Sequence, residues 1–302
     1  MLTRRKFLSV SSAALLAGTV TPAWAVSSLL LGDMQIDIVS DGHLDLPASF
    51  TFSGLPQDTA ADLIKRYGLP SDGLQPDCNL TLVRQSGRVI LFDVGAGPNF
   101  MSSAGKVAEA LEAIDVDPSD VTDIVFTHAH PDHLWGVLDD FDDPMFSEAR
   151  HHIAAPELDY WLDPNTVNSI DEARQAFAAG AARNLHAVDE MIVPFKPGQE
   201  ILPGIFARFT PGHTPGHTSF EIRSGSKSLL VVGDAISNHH LAFEYPDWES
   251  NSDQDKALGA TTRVNLLGEL ASNQMRIVGF HFPYPGIGFV ERKGKAFRWV
   301  AA

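Results

Sequence analysis

Six consecutive residues of this chain include four side chains of the kinds that bind metal ions. Residues 128–133 read His-Ala-His-Pro-Asp-His, which places three imidazoles and one carboxylate in one short segment. Imidazole nitrogen and carboxylate oxygen are the usual ligands of Zn²⁺ and similar ions. His128 and His130 alternate along an extended segment and can point the same way, whereas the proline turns the chain before Asp132 and His133. The spacing predicts ligands for two neighbouring metal positions.

Further candidate ligands stand where predicted strands end. A loop rich in Gly and Pro reads Thr-Pro-Gly-His213-Thr-Pro-Gly-His217, while Asp234 and His281 each follow an apolar run. Functional sites of layered α/β folds gather where strands meet loops. A solvated His-rich loop is the alternative interpretation of residues 128–133. It is disfavoured because polar atoms buried after an apolar strand would be costly without partners.

Strands and helices alternate along the rest of the chain. The strand-like runs are 35–39, 79–84, 89–92, 123–127, 151–155, 205–209, 218–223, 228–232, 277–280, 288–291 and 296–300. The helical runs are 105–114, 170–185 and 253–270. This mixture predicts one layered α/β domain over residues 26–302.

The first 25 residues resemble an export signal. Basic residues at positions 4–6 precede a weakly apolar stretch, and Ala-Trp-Ala at 23–25 has the form that signal peptidases cleave. Two adjacent arginines before Phe-Leu are typical of the twin-arginine pathway, with an ordinary Sec signal as the alternative. The stretch is too short for stable insertion in a membrane. We therefore expect cleavage near Ala25 and a periplasmic or secreted protein that uses the twin-arginine export machinery.

The net charge disfavours nucleic acid as a partner, and the cysteine content excludes an internal disulfide. The net charge is −16, and removal of residues 1–25, which carry three positive charges and no negative ones, gives −16 − 3 = −19. Such a surface repels phosphates, so nucleic acid is not an expected partner. The single cysteine, Cys78, cannot form an internal disulfide. The sequence leaves a homodimer open.

Together these motifs resemble the metallo-β-lactamase superfamily, over residues from about 35 to 300. The resemblance implies an αββα sandwich in a single domain, with two divalent ions at one edge. Zinc is the expected metal, and Mn, Co and Fe are the alternatives. Carried over by position, His128, His130 and His217 would hold one ion, Asp132, His133 and His281 the other, and Asp234 would bridge them. His213 would support its loop, and Asp93 would orient a ligand imidazole from behind.

Within the superfamily, shorter motifs resemble methyl-parathion-hydrolase-like enzymes and their lactonase relatives. They are Ser40-Asp41-Gly42, Leu46-Pro47, Asp159-Tyr160-Trp161-Leu162 and the run Phe282-Pro-Tyr-Pro-Gly-Ile-Gly288. Ser237 departs from the lactonase pattern, because many acyl-homoserine lactonases have a tyrosine three residues after the bridging aspartate. The resemblance therefore indicates a subgroup more firmly than a substrate.

The implied chemistry is hydrolysis by a hydroxide that bridges the two ions, with Asp132 or Asp234 passing the proton to the leaving group. Aromatic residues predict an apolar pocket, and Phe50 and Phe52 are candidates for a covering loop. The pocket candidates are Trp135, Phe146, Trp161, Phe243 and Trp248. The expected substrates are small apolar lactones or aryl and carboxylic esters, with phosphotriesters as a side activity. The alternatives are an iron-dependent redox member of the fold, similar to persulfide dioxygenases, and a β-lactam hydrolase.

Overall fold

Two seven-stranded sheets lie at the centre of the protein, in a computed structural model that describes residues 27–302. The predicted export signal and its cleavage point lie outside these residues. In spatial order, the first sheet contains β1 (Ser27–Leu31), β2 (Met34–His43), β5 (Asp77–Gln85), β6 (Arg88–Phe92), β7 (Asp123–Val125), β8 (Arg150–Ala154) and β9 (Ile192–Phe195). The second contains β10 (Glu200–Leu202), β11 (Ile205–Phe209), β12 (Thr218–Ser224), β13 (Lys227–Val231), β14 (Arg276–Val278), β15 (Ile287–Lys293) and β16 (Ala296–Ala301).

The α-helices in the described part of the chain are α1 (Ala48–Thr51), α2 (Gln57–Tyr67), α3 (Val107–Glu112), α4 (Pro131–Leu134), α5 (Ala155–Leu162), α6 (Thr166–Ser169), α7 (Gln175–Ala187), α8 (Leu241–Glu244) and α9 (Lys256–Asn273). A two-stranded sheet of β3 (Leu46–Pro47) and β4 (Gly73–Leu74) joins α1 and α2 in a cap, residues 44–76. Helices α5 and α7 cover the outer face of the first sheet, α9 covers that of the second, and the other described helices lie in loops or in the cap. Among the residues described, no helix has the length and apolar character needed to cross a membrane.

The alternation of apolar residues explains the layers. In β2 and β6, Ile36, Ile38, Ile90 and Phe92 face the second sheet and form the core between the sheets. Their neighbour Leu91 points the other way, into the core beneath α5 and α7. Successive side chains of a strand point to opposite faces, so apolar residues on both faces require a cover on each side. The arrangement is the predicted αββα sandwich.

Parallel strand pairing brings the candidate ligands to one edge. β6, β7, β8 and β9 pair in parallel, and so do β13 and β14. The carboxyl ends of parallel strands meet at the same edge of a sheet, where binding sites of α/β folds form. His128 follows β7, Asp234 follows β13 and His281 follows β14.

Several predicted boundaries differ from the structure. The helix expected over 170–185 begins at Gln175, because Asp171 accepts a hydrogen bond from the Ala173 amide and starts a separate 3-10 turn, Glu172–Arg174. The helix expected over 253–270 is Lys256–Asn273, capped by Asp255 at the Leu258 amide. No strand is predicted at β9, a short strand that contains Pro194. Proline is unfavourable inside a sheet and is tolerated here at an edge.

Candidate metal centre

The segment after β7 turns sharply and directs four candidate ligands inward. His130 precedes α4 as its N-cap, and Pro131 occupies the first helical position, which its fixed φ angle favours. Asp132 and His133 then lie on the first helical turn. All four candidate ligands of residues 128–133 are at least nine-tenths buried.

The first ligand group contains His128, His130 and His213, whose ligand atoms all lie within 4.8 Å of one another. His213 Nε2 is 2.8 Å from His130 Nδ1 and 3.3 Å from Asp234 Oδ2. Ligand atoms of a tetrahedral zinc ion, with Zn–N distances of about 2.0–2.1 Å, lie about 3.3 Å apart. The spacing therefore fits a small divalent ion.

The second ligand group contains Asp132, His133 and His281. His281 Nε2 and His133 Nε2 lie 3.2 and 3.3 Å from Asp132 Oδ2. Asp234 stands between the two groups. Its Oδ2 is 3.3 Å from His213 Nε2 of the first group. In the second group its Oδ1 is 3.6 Å from His133 Nε2 and its Oδ2 is 3.5 Å from His281 Nε2. This position, adjacent to both groups, is the one that a bridging carboxylate requires.

The two histidines of the Gly/Pro-rich loop have the opposite roles to those predicted. His213, expected to support the loop, lies in the first ligand group. His217, expected as the third ligand, points both ring nitrogens at protein atoms: Nδ1 contacts Thr210 Oγ1 at 2.9 Å, and Nε2 accepts from the Asp234 amide at 2.9 Å. The loop repeats Thr-Pro-Gly-His, so sequence alone does not distinguish its two histidines. His217 instead positions the backbone of Asp234.

The loop needs glycine at two close approaches. A β-carbon on Gly212 would overlap the backbone of Gly259 in α9, and one on Gly216 would overlap the backbone of Glu157 in α5. The loop is therefore held between two helices, with His213 directed at the ligand cluster.

Four buried atoms of the cluster have no hydrogen-bond partner among the residues that the structure describes. They are His128 Nε2, His133 Nε2, Asp132 Oδ2 and Asp234 Oδ1. A buried polar atom without a partner costs roughly 1–3 kcal/mol, so four in one cluster would be a considerable penalty. All four atoms are of types that bind zinc, and ion binding would satisfy them. The residues present therefore fit a pair of divalent metal ions.

Hydrogen bonds from behind fix the ligand rings. Asp93 Oδ2 lies 2.8 Å from His133 Nδ1, and Asp93 also accepts from the amide and hydroxyl of Thr127 at 2.8 Å each. His281 Nδ1 is 2.9 Å from the Asp77 carbonyl. Asp253 Oδ1, which sequence reasoning missed, is 3.3 Å from His213 Nδ1. Such partners set ring orientation and raise ligand basicity.

Burial and neighbouring charges act on the cluster in opposite directions. Burial and the adjacent imidazoles hold the pKa of His128 well below its usual range. Burial would also lower the pKa of His133, but Asp132, Asp93 and Asp234 outweigh it and raise the pKa to about 10. The same competition raises the pKa of His281. The carboxylates of Asp132 and Asp234, which act on both histidines, thus favour positive charge at this position, as a cation site requires.

A cavity of about 690 Å³ opens above the cluster. His130, Asp132, His213, Asp234 and His281 form part of its wall. Most of the remaining wall is apolar. It comes from the cap, from the loop between β6 and α3, and from α7: Leu44, Leu46, Phe50, Leu69, Leu74, Phe100, Met101 and Phe177. Ser237 also lines the cavity, at the position where many lactonases have tyrosine. The ligand cluster is therefore open to a small molecule from an apolar side.

The five aromatic residues predicted to line this pocket do not line it. Phe146 and Trp161 are buried in the core beneath the first sheet, and Trp135 packs against that core. Phe243 is buried with α9 against the second sheet, and Trp248 packs against the cap core. Aromatic residue type alone does not show which way a side chain points. Of the two covering-loop candidates, Phe50 reaches the cavity and Phe52 is buried in the cap.

The fold and this ligand cluster agree with a match between residues 75–265 and the sequence model of the metallo-β-lactamase superfamily. The chain belongs to that superfamily. A solved structure of AidC, described as a dizinc quorum-quenching lactonase, is 25% identical; the match covers 93% of this chain and 98% of AidC, with a TM-score of 0.87. The hydrolase AbOPH is 27% identical, with coverage of 92% and 97% and a TM-score of 0.85.

Curated relatives match over a shorter region. A probable metallo-hydrolase of Mycobacterium tuberculosis is 31% identical over 155 residues, which is 50% of this chain and 48% of that protein. The N-acyl homoserine lactonase AttM of Agrobacterium fabrum is 28% identical over 148 residues, covering 48% and 50%. The chain thus matches about half the length of these relatives.

Proposed function

We propose that this protein is a metal-dependent hydrolase that opens lactones or cleaves aryl and carboxylic esters with apolar substituents. One observation carries the proposal: buried imidazole and carboxylate side chains, grouped around His213 and around Asp132, meet at the end of an apolar cavity. The similarity to a lactonase and a hydrolase over nearly the whole chain supports the same class.

In this proposal His128, His130 and His213 would hold one ion, Asp132, His133 and His281 would hold the other, and Asp234 would be shared by both. Zinc is the metal we propose, because the ligand atoms are imidazole nitrogens and carboxylate oxygens that lie close enough together to share an ion. Bound divalent ions would supply an activated water at neutral pH and would polarise the oxygen of the scissile bond.

The protein supplies proton transfer and substrate orientation. A carboxylate that binds an ion through one oxygen keeps its other oxygen for a proton. Asp132 and Asp234 are the two carboxylates among the proposed ligands, and either would pass a proton to the leaving alkoxide or phenoxide through an oxygen not bound to an ion. The apolar wall would exclude water and hold the apolar part of the substrate.

The cavity wall favours uncharged apolar substrates. Phe50, Phe100 and Phe177 give it aromatic surface, and the net charge of −16 disfavours polyanions. Ser237 occupies the position at which many acyl-homoserine lactonases have a tyrosine, so substrate binding here does not use that tyrosine. We therefore include other lactones and esters in the substrate class. Phosphotriesters present a similar polarised oxygen and leaving group, and we propose them as slower substrates.

A substrate screen of the zinc-loaded protein tests this function. We expect cleavage of lactones and aryl esters with apolar substituents, with slower cleavage of phosphotriesters and loss of all activities after chelation. Turnover of a thiol persulfide with a single bound iron, or of a β-lactam alone, would contradict the proposal.

The role of the apolar wall is tested with Phe50→Ala. Phe50 is 40% exposed and lines the cavity. We expect kcat/KM for long-chain substrates to fall roughly tenfold, mainly through KM, because apolar contact is lost without a change at the ligands. Phe141→Ala is the matched control, since Phe141 is 85% exposed and is not part of the cavity wall. Equal effects of the two changes would contradict the proposed orientation of the substrate.

A further inference from the structure

A buried glutamate on α5 belongs to neither ligand group. Glu157 has no exposed surface, and each of its carboxylate oxygens accepts two hydrogen bonds. Oε1 accepts from the Ala129 amide at 2.9 Å and from the Trp161 indole at 2.6 Å. Oε2 accepts from the Thr214 hydroxyl at 2.7 Å and the Gly216 amide at 2.9 Å. A buried carboxylate is costly unless such donors satisfy it.

The partners of Glu157 lie on two separate ligand loops. Ala129 stands between His128 and His130, and Thr214 directly follows His213. Glu157 Oε1 therefore binds the loop of the first two histidines, and Oε2 binds the loop of the third. The lack of a side chain at Gly216 allows that loop to approach the backbone of Glu157 closely.

Trp161 adds a second contact with the same ligand group. Its indole N–H donates to Glu157, and its ring lies edge-on to the His130 ring with a centroid distance of 5.8 Å. Trp161 is fully buried, so the contact with His130 is part of the packed core. The tryptophan thus restrains both the carboxylate and one proposed ligand.

We infer that Glu157, supported by Trp161, is a positioning residue that fixes His128 and His130 relative to His213 and thereby sets the metal affinity of the first ligand group. The inference rests on the proposed metal centre. Ligand atoms must lie within a few tenths of an ångström of their required positions, and hydrogen bonds from surrounding residues provide that precision.

The substitution Glu157→Gln separates this role from simple packing. The amide keeps the volume of the carboxylate but replaces one acceptor oxygen with a donor. The amide nitrogen can face Thr214, whose hydroxyl can reverse its direction, but it cannot accept from the Gly216 amide. The change therefore loosens the attachment of the His213 loop without leaving a cavity.

Zinc affinity is measured by chelator competition on the full-length protein, together with the absorption spectrum after cobalt substitution. For Glu157→Gln we expect one of the two affinities to fall about 10–100-fold, with the other unchanged. The weakened binding step should be the one that is missing from the zinc titration of His213→Ala. Excess zinc should restore most of the lost hydrolysis. Trp161→Phe, which removes the indole donor but keeps most of the ring volume, should weaken the same affinity by a smaller factor.

Asp123→Asn is the control for loss of a buried, hydrogen-bonded carboxylate. Asp123 lies at the start of β7 and binds Arg88, Thr122 and His152, none of which belongs to a ligand group. We expect this variant to lose stability and keep both zinc affinities.

Two results would overturn the inference. If the wild-type protein binds two ions and Glu157→Gln binds both equally tightly, Glu157 has no positioning role, although the proposed function stands. If Glu157→Gln and Asp123→Asn each weaken both zinc affinities, the effect is a general loss of stability. Glu157 then again has no specific positioning role. If the wild-type protein binds no zinc, the proposed function and this inference fail together.

Discussion

At the scale of single residues, the two histidines of the Gly/Pro-rich loop have different environments. His213 directs Nε2 at His130 and Asp234, whereas His217 directs its two nitrogens at Thr210 and the Asp234 amide. Residue type and spacing identified the loop as a ligand loop. The choice between its histidines depends on backbone direction, which the repeated Thr-Pro-Gly-His motif does not reveal.

The exchange of roles predicts different metal contents for two alanine variants. We expect His213→Ala to reduce bound zinc from about two ions to about one, because the first group loses a third ligand. His217→Ala should still bind about two ions at saturation, with weaker affinity because the Asp234 backbone loses its acceptor. Elemental analysis after dialysis measures both. Retention of two ions by His213→Ala and loss of one by His217→Ala would restore the original assignment.

Asp123 predicts how stability depends on pH. Burial would raise the pKa of its carboxyl, but hydrogen bonds from His152, Thr122 and Arg88 outweigh burial and lower the pKa from its ordinary value of 3.8 to about 2. The folded-state pKa is depressed, so the stabilisation is complete above pH 4 and is lost as pH falls towards 2. Denaturant unfolding of chelator-treated protein should show a steeper acid loss in the wild type than in Asp123→Asn. Parallel pH profiles would contradict this assignment.

At the scale of elements, two helical glycines predict opposite effects of alanine. A β-carbon on Gly180 in α7 would overlap the Trp135 ring, whereas one on Gly268 in α9 would meet nothing closer than Arg292 Nη2 at 3.7 Å. Gly180→Ala should therefore destabilise the protein by about 1–3 kcal/mol through overpacking. Gly268→Ala should stabilise it by about 0.5–1 kcal/mol through helix propensity. Denaturant titration measures both. Stabilisation by Gly180→Ala would show that the Trp135 contact does not restrict α7, and destabilisation by Gly268→Ala would contradict the prediction for α9.

Elements with regular apolar alternation were predictable, and those fixed by tertiary contacts were not. The runs at 79–84 and 89–92 correspond to β5 and β6, because their two faces meet two cores. The cap elements β3, α1 and β4 are only two to four residues long and carry too little pattern. The cavity wall was missed for a related reason: Phe177 reaches it from α7, and no local signal distinguishes that face of the helix.

At the scale of the whole molecule, residues 1–25 predict a route out of the cytoplasm. We propose twin-arginine export, which carries folded proteins and would allow metal loading before export. Changing Arg4 and Arg5 together to Lys should retain the protein in the cytoplasm, as measured by cell fractionation and immunoblotting. Unchanged recovery from the periplasm would rule out this pathway and favour a Sec signal. The Phe141→Ala variant, altered far along the chain, should be exported normally.

The two sheets are also two consecutive halves of the chain. Every strand of the first sheet precedes residue 196, and every strand of the second follows residue 199. The proposed ligands divide in the same way, four from the first half and three from the second: His128, His130, Asp132 and His133, then His213, Asp234 and His281. A cut between the sheets would therefore produce two fragments that each hold an incomplete site. Their reassembly should depend on zinc, because an ion that binds only the joined form shifts the association equilibrium by mass action. The two fragments therefore suit a complementation assay in which the zinc concentration is varied and the rate of hydrolysis is measured.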